Sequence, residues 1–189
     1  MKKDILAIGG ILLILAAILC GVHIRSVDDY YRADTTGTTD AAETTTESET
    51  VTIGIRCDTI LDNYDDLDPA LRSEEFVPSD GVILPPTTYE LHPGDTVFDV
   101  LSRAVRDNRI QMEYQGADQN RYGGVYIQGI HYLYEFSCGP LSGWTYRVDG
   151  EFPNYSCAQY VLKGGQTIEW LYTCDLGRDV GCEWTEAAA

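Results

Sequence analysis

The chain has 189 residues, a formal net charge of −17, six Cys and three His. That length holds one domain with appendages, not two full-sized domains. Beyond Arg25, ten basic side chains face 29 acidic ones, which argues against nucleic-acid binding and against a polybasic grip on anionic lipid.

Residues 5–22 (ILAIGGILLILAAILCGV) form one uncharged apolar run. As a helix it reaches roughly 27 Å, near the hydrocarbon thickness of a bilayer. Lys2 and Lys3 precede it, so the N-terminus is expected to stay cytoplasmic and the remainder to face outward. Residues 1–25 therefore read as a membrane anchor. A cleaved signal peptide is the competing reading, but no small-x-small pair follows the run. Leu19 precedes Cys20 where a lipoprotein signal needs a small residue, so Cys20 reads as a membrane-buried thiol.

Residues 26–50 read as a disordered, acidic, Thr-rich stalk. The stretch 33–50 (ADTTGTTDAAETTTESET) holds eight Thr and no large apolar side chain, too little burial to offset the entropy of ordering it. Composition changes at Val51. In 51–57 (VTIGIRC), Val51, Ile53 and Ile55 alternate with Thr52, Gly54 and Arg56, the period of a strand. Short extended pieces at 82–84 and 89–91 flank Pro85-Pro86, which excludes a central ladder there. Pro93-Gly94-Asp95 is a turn, with Asp95 or Thr96 as helix cap. Val97, Val100, Leu101, Ala104 and Val105 then share one helical face, and Asn108 ends it. Strand patterns follow at 110–114, 125–127, 131–136, 144–148 and 167–173. Asp149-Gly150 predicts a type I′ turn. The order strands, one helix, strands is α+β. Its β-grasp-like version is a mixed sheet with one packed helix and with the first and last strands parallel at its centre. The domain is read as 51–181, and 182–189 as a short tail.

Five Cys lie outside the membrane segment: Cys57, Cys138, Cys157, Cys174 and Cys182. None has C-x-x-C spacing, so no metal site is expected. Outside a cell the default is disulfides. Cys57 and Cys174 end the two candidate central strands, and Cys138 and Cys157 bracket the Trp144 segment. Bridges Cys57–Cys174 and Cys138–Cys157 are thus expected, with Cys182 unpaired or exchanging with Cys174.

Several pieces carry a resemblance: VTIGIRCDTILDN (51–63), PGDTVFDVLSRA (93–104), YGGVYIQGI (122–130), LSGWTYRVDGEFPNYSC (141–157) and EWLYTCDLGRDVG (169–181). In this order they resemble the transcobalamin-like C-terminal domain family, bacterial surface proteins and the small β-domain of vitamin B12 carriers. The resemblance implies a β-grasp-like fold and a corrinoid (cobalamin) or similar flat ligand. It also implies that Gly123, Gly124 and Trp144 sit where the carriers approach the corrin. Glycines permit close backbone approach; Trp offers a flat apolar face.

Two other chemistries are weighed. The WLYTC stretch ending at Cys174, with His131 upstream and Arg178 downstream, echoes a sortase-like Cys transpeptidase, which needs a free thiol activated by a neighbouring cation. Asp58, Asp62, Asp65, Asp66 and Asp68 suit Ca²⁺ in ligand type, but their spacing fits no EF-hand, and a solvated acidic loop is the simpler account. The expected protein is therefore a non-enzyme with no cofactor. It is expected to be single-pass in the plasma membrane of a Gram-positive-type bacterium, with its C-terminal domain extracytoplasmic, binding a small ligand alone or with a partner domain. The rival is a cell-surface protein-interaction or adhesion domain.

Overall fold

The computed structural model describes residues 48–121 and 123–182. The anchor, the stalk up to Glu47 and the chain beyond Cys182 lie outside them, as does Tyr122. Chain pairing begins just before Val51: the Glu49 carbonyl accepts from Leu91 N (2.8 Å), and β1 spans Thr50–Arg56. One helical turn, α1 (Thr59–Asp62), follows. Then come β2 (Val82–Glu90) and α2 (Val97–Asp107). A second group is β3 (Met112–Gln115), β4 (Tyr126–Ile130) and β5 (Leu133–Tyr134). Finally come β6 (Gly143–Val148) and β7 (Thr167–Thr173).

The elements form a mixed α+β domain with two sheets, ordered β2-β1-β7-β6 and β3-β4-β5. β1 and β7 lie side by side and parallel, from Thr52 opposite Thr167 to Arg56 opposite Leu171. The remaining pairings are antiparallel. Val51, Ile53 and Ile55 of β1 and Ile168 and Trp170 of β7 are at most 2% exposed. They pack against Val97, Val100, Leu101, Ala104 and Val105 of α2. That helix face is the one its periodicity predicts. Thr96 is the cap: its hydroxyl accepts from Asp99 N, and the Asp99 carboxylate accepts from Thr96 N (2.9 Å), a capping box.

Asp95 does something else. Its carboxylate accepts from Arg103 (2.6 Å) and from His92 N (2.8 Å), with 11% of the Asp95 side chain and 18% of the Arg103 side chain exposed. The Arg103 hydrogen bond holds the Asp95 carboxyl below its ordinary value. A depressed folded-state pKa adds stability above the unfolded value, and this is lost as pH falls through the folded value. Asp95→Asn is therefore expected to cost about 1 kcal/mol at pH 7, at the low end because the pair lies near the surface. The cost should be smaller at pH 2. Urea unfolding of the variant across that range checks it; an equal loss at both pH values contradicts the ion pair.

Three strand expectations change. Pro85 and Pro86 do not split β2: it is one edge strand. The ladder with β1 shifts register between Ile53 and Ile55, opposite the prolines, which lack the N–H a regular ladder needs. Asp149 and Gly150 do take positive φ (52° and 86°), as a type I′ turn requires. Yet the hairpin beyond them is only the Val148–Glu151 bridge, and β6 pairs with β7 instead; Pro153 cannot extend the ladder. At 131–136 only Leu133–Tyr134 forms strand, because His131 and Tyr132 turn the chain with positive φ.

The acidic stretch 58–68 is not a plain loop. It coils into α1 and a short 3₁₀ turn, Tyr64–Asp66, and a second such turn, Pro69–Leu71, follows it. It also buries Ile60 and Leu67 in a second core with Cys57, Val77, Leu133, Cys138 and Tyr172. Cys182, expected on a tail, is 2% exposed, its N–H bonded to the Gly177 carbonyl (2.8 Å).

Candidate functional site

The β6–β7 ladder sets Trp144 opposite Tyr172, Tyr146 opposite Trp170 and Val148 opposite Ile168. Period-2 alternation puts these six on one face. The aromatic pairs touch: Trp144 stands edge-on to Tyr172 at 5.3 Å, and Tyr146 lies tilted against Trp170 at 5.4 Å. Directly opposed aromatic pairs stabilise a ladder and build a broad apolar floor.

Two clefts open over this floor. The first, about 410 Å³, is lined by Trp144, Tyr146 and Trp170, by the start of β4 (Val125, Tyr126, Ile127) and by residues 153–157. The second, about 330 Å³, shares Tyr126, Trp144 and Thr145 with it and continues past Glu135, Phe136, Leu141, Ser142, Thr173 and Leu176. Trp144 and Tyr126 thus stand between the two. Both volumes fall at the lower end of ordinary small-ligand sites.

The strap 153–157 is held from three sides. Tyr146 Oη donates to the Tyr155 carbonyl (2.9 Å), and Ser156 Oγ donates to the Val125 carbonyl (2.9 Å). The Cys157 and Tyr160 carbonyls accept from Phe98 N and Val97 N, both 3.1 Å, satisfying the first amides of α2. Tyr155, half-exposed, stacks on Tyr160 at 5.9 Å.

Trp170 is 2% exposed, and its Nε1–H is the one buried side-chain polar atom without a hydrogen-bond partner among the described residues. Trp144, half-buried, differs: its Nε1 donates to the Leu133 carbonyl (2.7 Å). A buried donor left unpaired costs about 1–3 kcal/mol.

The glycines singled out in sequence are placed beside the cleft rather than on its lining. Gly123 is exposed with φ +69°, and nothing lies within 4 Å of where its Cβ would be. Gly124 is buried; a Cβ there would come within 2.4 Å of Ser156 Cβ. Its missing side chain lets the strap close on β4. Trp144 lines both clefts. Trp170, Tyr146 and Tyr155 complete the first cleft, and sequence reading left Trp170 out. The signal was available: antiparallel pairing of WTYRV with TIEWLYT aligns four aromatics.

Cys174 is not set up as a nucleophile. Burial pushes its thiol up to about 12, and its neighbours are the Cys138 thiol and the Thr59 hydroxyl, neither of which is a cation that would stabilise a thiolate. Arg178 pairs with Asp175 (Nε to Oδ2, 2.9 Å), and the His131 ring neighbours Tyr132 at 6.3 Å. In this structure Cys57, Cys138, Cys157, Cys174 and Cys182 are free thiols. Cys157 lies in the first core and Cys138 in the second.

A family model described as a domain of unknown function (DUF4430) matches residues 94–173. That span includes every residue lining the first cleft. No curated protein matches the chain in sequence. Among solved structures, one similar chain is a Ruminococcus gnavus ATCC 29149 protein described as metal-binding. It is 12% identical, with a TM-score of 0.38, and the likeness covers 66% of this chain and 96% of that one. Another is haptocorrin in complex with Cbi, 16% identical, TM-score 0.42, covering 75% of this chain and 28% of that one. Among the described residues no group of His, Cys, Asp and Glu is arranged to hold a metal ion.

Proposed function

We propose that this chain is a membrane-anchored, extracytoplasmic binding module whose first cleft takes a flat, largely apolar small molecule, with a corrinoid as the first candidate. One observation carries the reading: the aromatic floor of the first cleft, where Trp144, Tyr146 and Trp170 stand together. A flat ligand offering π-faces fits that floor. The sequence resemblance to the B12-carrier β-domain supplies the ligand class. The parallel β1–β7 pair under a single long helix supports the β-grasp-like reading. The apolar run at 5–22 behind Lys2 and Lys3 supports outward anchoring.

A second reading, a protein-interaction domain, is favoured by the rim of the second cleft. Phe136 and Leu176 are 64% and 54% exposed there, both at positive φ. Large apolar side chains held outward in strained backbone suit a contact surface.

Titrating the detergent-solubilised full chain with cobinamide, by calorimetry and Trp fluorescence, tests the first reading. Saturable binding with quenching of the Trp emission is expected, because the cleft floor carries Trp144 and Trp170. No heat and no quenching up to high micromolar ligand, with the far-UV circular dichroism intact, would refute the corrinoid and leave the interaction reading.

A further inference from the structure

The second core gathers three cysteines. Cys57 and Cys138 belong to it and Cys174 packs against it. We propose that Cys138 and Cys174 are joined by a disulfide in the extracytoplasmic protein, a pairing different from either one expected from sequence. Both thiols sit at this core. Both also rest along α1 and the residue after it: Cys174 Sγ reaches Thr59 Oγ1 (3.8 Å), and Cys138 Sγ reaches the Asn63 carbonyl (3.4 Å). Asn63 Nδ2 in turn donates to the Thr59 carbonyl (2.8 Å), so the two anchoring points are themselves tied together.

The parallel register explains why Cys57 is not the partner. Arg56 lies opposite Leu171, so Cys57 falls level with Tyr172 and Cys174 runs two residues further on. Two residues of strand rise and one strand spacing together separate those Cα atoms by roughly 8 Å, beyond the reach of a disulfide. Cys157 packs in the other core, and Cys182 packs at Gly177.

The bridge has a place in the site. Cys138 N donates to Ser142 Oγ (3.0 Å), and Cys174 directly follows Thr173. Ser142 and Thr173 both line the second cleft. A disulfide here would clamp the chain after β5 to the end of β7, fixing two walls of that cleft.

The chemistry balances by exchange. The two thiols lose two protons and two electrons as the S–S bond forms, and the disulfide of an extracytoplasmic thiol–disulfide oxidoreductase accepts them and becomes a dithiol. Cys174, the more exposed of the two, forms the mixed disulfide, and Cys138 displaces the oxidant. Burial raises both thiols above their ordinary value, which makes thiolate scarce in the finished fold. Exchange therefore occurs while the second core is still assembling. The pairing shares only its compartment with the ligand reading, so each can fail alone.

The test uses the full chain in detergent, unfolded in urea and refolded with reduced and oxidised glutathione. It is then alkylated, digested without reduction and mapped by mass spectrometry. A linked Cys138–Cys174 peptide is expected as the dominant cross-link. Predominance of Cys57–Cys174 or Cys138–Cys157, or alkylation of both Cys138 and Cys174, overturns the proposal. A second readout is the Tm gap between oxidised and dithiothreitol-treated protein. It should be roughly 10 °C for a loop of this size. The gap should vanish in Cys138→Ala and in Cys174→Ala and persist in Cys157→Ala; a gap that survives in Cys138→Ala overturns the pairing.

Discussion

Gly81→Ala is expected to remove about 2–5 kcal/mol of folding stability, the largest loss for adding one methyl group among the glycines considered. Gly81 is buried with φ +68°, and a Cβ there would sit 2.4 Å from Asp58 Cα and 2.7 Å from Asp58 N. Those are backbone atoms with no rotamer to swing aside. Two penalties add: a left-handed conformation for a residue with a side chain, about 1–2 kcal/mol, and forced displacement in a packed region, about 1–3 kcal/mol. The displacement would strike where the sheet begins to close, because the Gly81 carbonyl accepts from Cys57 N (2.7 Å). Gly123→Ala isolates the first penalty. Its φ is nearly the same, +69°, and nothing lies within 4 Å of the new methyl, so a loss of about 1 kcal/mol is expected. Urea midpoints of the two variants give the comparison. Equal losses would mean that the Asp58 contact relaxes freely.

Trp144→Ala is expected to lose about 3–4 kcal/mol, the usual range for a large aromatic cut back to Ala. Trp144 packs against both cores. It lies edge-on to Tyr172, itself fully buried with its hydroxyl donating to the Tyr134 carbonyl (2.7 Å). The indole N–H is the second tie to β5, through the Leu133 carbonyl. Truncation therefore weakens the ring contact and leaves that carbonyl without its donor. Trp144→Phe keeps a ring and loses the N–H, so about 1–2 kcal/mol is expected. Hydrogen exchange over residues 133–137 should quicken in Trp144→Ala and less so in Trp144→Phe. A loss below 1 kcal/mol for Trp144→Ala would mean that the ring serves the ligand and not the fold. In that case the cobinamide affinity would carry the effect instead. This is the cleanest way to separate the two roles of a side chain that lies in both clefts.

Much of the scaffold is written locally in the residues. The helix is legible because Val97, Val100, Leu101, Ala104 and Val105 share one face, whatever they pack against. The parallel β1–β7 pair follows from two strongly apolar alternating strands at either end of the domain. The I′ turn at Asp149-Gly150 depends only on residues that tolerate positive φ. The stretch 58–68 reads as loop in sequence because its acids dominate by count, whereas Ile60 and Leu67 decide its fold by being buried. Burial depends on what the rest of the chain places above them.

By itself, then, the order of residues determined an α+β domain, its helix, its turn residues and the period of its strands, since those are short-range steric and hydrophobic preferences. Only the tertiary structure decided which aromatics face one another, which thiols meet and where a cleft opens. Register is the reason. A shift of two residues along β7 keeps every side chain on its own face yet changes every neighbour. The register found here carries Cys174 past Cys57, and it sets Trp170 against Tyr146.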